Sequence, residues 1–245
     1  MQRNIEKYTA DYMNEASGFE YIQAEFRKRK VLEVLNHYKP QNVLEIGCGF
    51  SSIANDYKTF DKFTIVEPSK EFAQNGLKEK NDNVIIINDF VENRIDELKK
   101  SCFDFIICSG LLHEVFEPDN LLEQIRKLCG KDTILHINVP NSRSFHILWA
   151  YEAGYISSPD ELTPAAKRLQ RNSTFDMNKL KNTADRHGFK VISSGSYFIK
   201  PFNQPKMKSL IDNNIIDDKL LNALYSMDKY MPEMGSEIYV SCKIQ

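Results

Sequence analysis

Apolar positions along the chain follow two alternating rhythms. Residues 18 to 38 (GFEYIQAEFRKRKVLEVLNHY) repeat at helical spacing, and KPQN then stops the helix ahead of a short continuous apolar run, VLEI at 43 to 46. Further runs of that kind follow at KFTIVE (62 to 67), NVIIIN (83 to 88), FDFIICS (103 to 109) and DTILHINV (132 to 139), separated by polar, helix-like segments. Buried-strand runs alternating with helices predict a parallel sheet covered by helices on both faces.

The rhythm changes after residue 140. The stretch 140 to 175 shows no strong strand, carries the only tryptophan and contains SPDELTPAAKRLQR, so it reads as an insertion of loops and short helices. A helix at 176 to 187 leads into FKVISSGSYFI (189 to 199), and a polar, Met-containing helical stretch precedes the final strand EIYVSCKI (237 to 244). With no internal repeat or low-complexity linker, one domain over residues 1 to 245 is expected, with an N-terminal helical lid over about 1 to 38 and insertions at about 140 to 175 and 200 to 235.

Composition narrows the chemistry. A content of 42% hydrophobic and 11% aromatic residues fills a substantial core without staples. With 32 basic against 34 acidic residues there is no excess of positive charge to grip a phosphate backbone, which argues against a nucleic-acid substrate. The five cysteines form no Cys-x-x-Cys pair, and no His, Cys and carboxylate group has metal-ligand spacing. The N-terminal residues lack the apolar core of a secretion signal, and no stretch approaches the ~20 apolar residues of a membrane span, so a cytoplasmic protein is expected.

The most informative stretch is VLEIGCGFSS, residues 43 to 52. Gly47 and Gly49 fall just past a strand, where the backbone can turn tightly and approach a ligand, although a purely structural turn uses the same residues. Ser51 and Ser52 are expected to open a helix whose amides suit a polar group. Ser52 stands where the dinucleotide fingerprint needs a third glycine, which disfavours nicotinamide and flavin cofactors. Glu45 would repel a pyrophosphate but attract an ammonium or sulfonium. Glu67, ending the second strand, can accept from two ribose hydroxyls. Asp89 can accept from an adenine amino group while the amide of Phe90 donates to the ring and its side chain packs on the base.

With VLEIGCG, IVEP, INDF and FDFIICSGLLHEVFEP in these places, the chain resembles the class I S-adenosylmethionine-dependent methyltransferases over roughly residues 31 to 140. INVPNSRSFHILWAYEAG, FDMNKLKNTADRHGFKV and GSYFIKPF are similar to the small-molecule branch found in surface-polysaccharide and natural-product pathways. The resemblance implies a Rossmann-like seven-stranded α/β sheet, mostly parallel with the last strand antiparallel. It implies S-adenosylmethionine as cofactor, held by Glu45, Gly47, Cys48, Gly49, Glu67, Pro68, Asp89, Phe90, Ser109 and Gly110. Tyr8, Tyr12 and Arg27 are available to close over its methionine end.

The acceptor is then a small polar molecule, expected to be a sugar, nucleotide-linked sugar or phosphate or phosphoramidate precursor of a surface polysaccharide, methylated on oxygen. N-methylation of an amino sugar is the nearest alternative. A dinucleotide-dependent oxidoreductase and a non-catalytic S-adenosylmethionine-binding module stand further off. His113, just past the fourth strand, is the candidate base, with its neighbour Glu114 competing for the role. His146 either acts on the acceptor or sits in a helix-capping turn with Asn141 or Ser142. Asn141, Arg143 and Arg171 are candidate acceptor ligands, with Lys167 and Arg168 as weaker ones. His136 is expected to be a satisfied core residue, and His37 and His187 to lie on helix surfaces. Oligomeric state leaves no trace in the sequence.

Overall fold

We describe a computed structural model covering residues 4–15, 18–162, 166–167 and 170–245. Its strands are β1 (Asn42–Ile46), β2 (Lys62–Val66), β3 (Val84–Ile87), β4 (Phe105–Ser109), β5 (Ile134–Pro140), β6 (Phe189–Tyr197) and β7 (Glu237–Ile244). They form one sheet in the order β3-β2-β1-β4-β5-β7-β6. The pairs from β3 through to β5 are parallel, and β7 runs antiparallel to both β5 and β6. This is the Rossmann-like methyltransferase sheet expected above.

The helices among the described residues are α1 (Ile5–Glu15), α2 (Phe19–Tyr38), α3 (Lys70–Asn75), α4 (Ile95–Leu98), α5 (Pro118–Arg126), α6 (Phe145–Glu152), α7 (Met177–Arg186), α8 (Gln204–Asp212) and α9 (Asp218–Tyr225). The end of α2 follows from its sequence. Lys39 adopts a left-handed conformation (φ 51°), its N–H reaches back to the Leu35 carbonyl, and Pro40 cannot continue the helix.

Central strands bury both faces. In β4, Phe105 and Ile107 join a core containing Val31 and Leu35 of α2, whereas Ile106 and Cys108 join the opposite core with Leu121, Leu122 and Ile125 of α5 and Leu180 of α7. A third cluster, built from Phe19 and Phe26 of α2, Tyr197, Phe198, Met207 of α8 and Tyr225 of α9, joins α2 to the chain after β6.

Three expectations need correction. The run at 83 to 88 reads as buried, yet β3 ends the sheet with a partner on one side only, leaving Ile85 and Ile86 exposed. The glycine turn does not open an α-helix but a three-residue 3-10 turn, Ile53–Asn55, capped by Ser52. The strand after α7 is interrupted, because the register with β7 slips between Val191 and Ser193 and leaves Ile192 exposed.

Candidate active site

The carboxyl ends of β1, β2 and β4 open onto a cleft beneath α1, where open α/β sheets bind ligands. The cleft has two adjoining lobes of about 320 and 170 Å³, both touching Ile5, Gly47, Pro68 and Leu111. The larger is walled mostly by apolar groups, including Phe90, Val91, Val115, Phe116 and Leu121, with Glu92, Asn93 and Asn120 at its edge. The smaller, called the polar lobe below for the charged groups it gathers, sets Tyr12, Glu20, Arg27, Glu67, Ser109, Gly110 and Glu114 beside an apolar wall of Tyr8, Phe50 and Phe72.

Glycine is required between the lobes. Gly47 (φ 78°) and Gly49 (φ 53°) are left-handed, and a Cβ at either would stand in open space on the ligand side. Glu67 is buried and ties this turn together: Oε2 accepts from the amides of Cys48 (3.0 Å) and Gly49 (3.3 Å), and Oε1 accepts from Ser69 N (2.8 Å). Cys48 contributes its amide; its buried thiol is pushed far up by burial and by Glu45 and Glu67.

Glu45 lines the smaller lobe and is also engaged within the turn. It is buried, accepts from Ser52 Oγ (2.5 Å) and from Ile53 N (3.1 Å), and so caps the turn that the sequence offered to a ligand. Burial holds its carboxyl up at about 7 against those two hydrogen bonds, and Glu67 adds to the rise. Asp89 is engaged through one oxygen: its Oδ1 accepts from the Phe90 amide (2.8 Å) and Asn93 Nδ2 (2.7 Å). The Phe90 amide is therefore engaged within its own turn, while the Phe90 side chain lines the larger lobe as expected.

At the polar lobe the structure separates the two candidates after β4. Glu114 reaches the polar lobe, whereas His113 is packed behind it, with Nε2 3.7 Å from Glu114 Oε1. The His113 carbonyl anchors the returning chain by accepting from the amides of Asn172 and Ser173. Tyr12 of α1 donates a short hydrogen bond to Glu114 Oε1 across the lobe. Burial, reinforced by Glu114, holds the Tyr12 phenol protonated well above its usual range. Arg171 is largely covered beside them, its Nη2 3.7 Å from Glu20; burial opposes its charge, but Tyr12, Glu20 and Glu114 outweigh that cost.

Other predicted ligands have partners within the protein. The Asn141 amide donates both hydrogens to backbone carbonyls, of Glu233 and Gly235, and its oxygen accepts from Arg143 N. Arg143 is about 40% exposed and paired with Asp160 at 3.1 and 2.8 Å, turned outward from the cleft. His146, in the first turn of α6, has Nδ1 3.0 Å from Ser144 Oγ and is held neutral, well below its ordinary range, by burial and then by Lys200; it lines neither lobe. His136 is buried in β5 with Nδ1 3.1 Å from Ser241 Oγ, and burial drives its pKa down to about 3. His37 is exposed, whereas His187 is largely covered, with Nδ1 against the Thr183 carbonyl at 2.8 Å. Lys167 is exposed, and Arg168 lies outside the described residues.

A polar cluster missed in the sequence backs the small lobe. Glu237 at the start of β7 accepts from Arg27 Nε (3.0 Å), Gln23 Nε2 (3.1 Å), Asn138 Nδ2 (3.2 Å) and Tyr197 OH (2.6 Å). Glu20 accepts from Arg27 Nη2 (3.3 Å) and Gln204 Nε2 (2.6 Å). Gly110 (φ 65°) permits this packing, because a Cβ there would lie 3.4 Å from the Arg27 side chain. One signal was available: Glu20, Gln23 and Arg27 share a helical stripe with Phe19 and Phe26, a polar row on a buried face.

Comparison with known proteins agrees with this geometry. The family model described as "Methyltransferase domain" matches residues 15–194. A search of curated proteins returned no significant match. A SAM-dependent methyltransferase from Archaeoglobus fulgidus superposes with a TM-score of 0.58 at 14% identity, covering 95% of this chain and 98% of that one. The 1,6-didemethyltoxoflavin-N1-methyltransferase of Burkholderia thailandensis, solved with its substrate and S-adenosylhomocysteine, gives 0.57 at 14% identity, covering 98% and 88%. A possible histamine N-methyltransferase from Thermotoga maritima gives 0.54 at 17% identity, covering 92% and 95%.

The sheet, the glycine cradle and the family match define a class I methyltransferase. The chain belongs to the methyltransferase-domain family, and its cofactor is S-adenosylmethionine. The residues fit that molecule: an apolar lobe for a base, an acidic polar lobe for a sulfonium and an ammonium, and between them a backbone cradle that any side chain would fill. No helix among the described residues is long and apolar enough to cross a membrane.

Proposed function

We propose that the protein methylates a hydroxyl oxygen of a small polar metabolite bound beneath α1, a sugar, nucleotide-linked sugar or phosphorylated precursor of the kind used in surface polysaccharides. The observation that carries this reading is the polar lobe roofed by α1, with Tyr12, Glu20 and Glu114 on its wall. With the methionine end of the cofactor in this lobe, the roof leaves room beside it for a small acceptor rather than a macromolecular one.

When bound, S-adenosylmethionine supplies an electrophilic methyl group on a sulfonium. In this reading Gly47, Cys48 and Gly49 cradle it, Glu67 and Pro68 take the ribose, and Asp89, Phe90 and Asn93 the base, with Ser109 and Gly110 below. Glu114 accepts the proton that the acceptor hydroxyl gives up. Tyr12 orients Glu114 and, with α1, keeps water from the lobe. Arg171 offsets the carboxylate charge of Glu20 and Glu114 from behind. His113 acts only through Glu114 in this arrangement.

N-methylation is a second reading, favoured by the paired carboxylates, which would draw an ammonium, and by the N-methyltransferases among the similar structures. The test is formation of S-adenosylhomocysteine against a panel of hydroxyl, amino and phosphorylated metabolites, with the methylated atom located by NMR. Turnover only with amines would replace the first reading by the second. Tight S-adenosylhomocysteine binding without turnover on any member would leave a binding module.

A further inference from the structure

Lys200, just past β6, is buried at 4% exposure, yet among the described residues its ammonium makes a single hydrogen bond, to Gln23 Oε1 at 3.0 Å. Among the described residues no carboxylate oxygen lies within 4.0 Å of it. The nearby acids are already engaged, Glu237 by Arg27, Gln23, Asn138 and Tyr197, and Glu20 by Arg27 and Gln204. The Phe19 ring, 5.7 Å from Nζ, contributes only its π-face. A buried cation whose remaining donors have no acceptor is costly in a finished structure, and a ligand that completes the site removes that cost.

We infer that Lys200 binds an oxyanion, a carboxylate or phosphate carried by the methyl acceptor; this rests on the methyl-transfer reading above. Lys200 itself lines neither lobe, and its tie to the cleft is a hydrogen-bonded chain: Gln23, which holds Lys200, shares α2 and the Glu237 carboxylate with Arg27, and Arg27 lines the polar lobe. Two residues beyond Lys200, Phe202 stacks on the half-exposed Trp149 of α6 at 5.2 Å, so the same segment links the buried cluster to the surface. His146 is neutral and adds no competing charge. Arg143, the anion ligand expected from sequence, is neutralised by Asp160 on the outside. Burial brings the Lys200 ammonium down to about 8, with Glu20 opposing that shift.

The test is calorimetric titration of the full chain, saturated with S-adenosylhomocysteine, using inorganic phosphate in one arm and benzoate in the other. At least one anion is expected to bind the wild type and to bind Lys200→Met about tenfold more weakly or worse, the range for a hydrogen bond to a charged group. The arm that responds tells phosphate from carboxylate. The affinity of the variant for S-adenosylhomocysteine should stay at the wild-type value. Absence of binding in both arms, or equal binding to wild type and variant, overturns the assignment. So does a parallel loss of S-adenosylhomocysteine affinity, which would put the lysine on the cofactor. If Lys200→Met does not fold, wild-type crystals soaked with the binding anion decide: density within hydrogen-bond distance of Nζ supports the site, and density only elsewhere refutes it. No turnover is measured, so failure of the methyl-transfer reading would leave these results distinguishable.

Discussion

The two lobes of the cleft are built in different ways. Around the glycine turn, binding groups are backbone amides held by residues close in sequence: Glu67 is 19 residues from Cys48, and Asp89 grips the amide of its own neighbour. Around the polar lobe the groups are side chains joined across the chain, Tyr12 to Glu114 over 102 positions and Arg27 to Glu237 over 210. The first arrangement tolerates change in most side chains because its donors belong to the backbone. The second changes chemistry with each substitution, which, in the function proposed above, suits the part that faces the acceptor.

The sharpest way to break this contrast is Gly47→Val, which combines a side chain on the ligand face with a left-handed backbone. S-adenosylhomocysteine binding should fall below detection by calorimetry; retained affinity would mean that the cradle lies elsewhere. Next in size is Glu237→Ala, which leaves Arg27 buried without its main partner and should cost about 3 to 5 kcal/mol. For a chain of this length that lowers the melting temperature by roughly 10 °C in a thermal scan.

Glu114→Gln should reduce turnover by ~10²-fold with cofactor affinity kept, whereas His113→Asn should be milder, since only Glu114 reaches the lobe. The reverse order in steady-state kinetics would restore the histidine as base. His136 tests the seam between the regions by pH. Its folded pKa of about 3 lies below the ordinary 6.5, so stability present above pH 6.5 is lost as the pH falls toward about 3. In urea melts across that window, His136→Phe should lose less stability than the wild type. The smallest effect belongs to Arg143→Ala: its exposed pair with Asp160 is worth ~0.2 to 1 kcal/mol, and kinetic constants should stay near wild type.

The same contrast explains what could be read in advance. Strands such as VLEI and FDFIICS declare themselves by continuous apolar runs, and the pattern fixed the order of elements through to EIYVSCKI. The 3-10 turn after Gly49 was hidden, because whether Ser52 and Ile53 serve a ligand or Glu45 depends on where a buried carboxylate points. Edge exposure of Ile85 and Ile86 depends on sheet order, which apolar runs do not encode. Asn141 and Arg143 look alike in sequence whether they meet substrate, backbone or Asp160. The Glu20, Arg27, Glu237 and Lys200 cluster has no local motif, since its members meet only when α2 is laid against β7 and the segment after β6.

The place of β7 has a consequence for the order in which the molecule forms. It is the last strand to leave the ribosome, yet it lies between β5 and β6, pairing with both. Until it arrives, β5 presents an unpaired edge and β6 has no neighbour, while everything around the glycine turn can already have assembled from earlier parts of the chain. Glu237 enters with β7, so Arg27, made some 210 positions earlier, waits for its partner. Such distant pairings close slowly. During synthesis the residues of the glycine turn are thus all present before Glu237 joins Arg27 behind the polar lobe, and the exposed β5 edge in that interval is where chaperone binding or misassembly should concentrate.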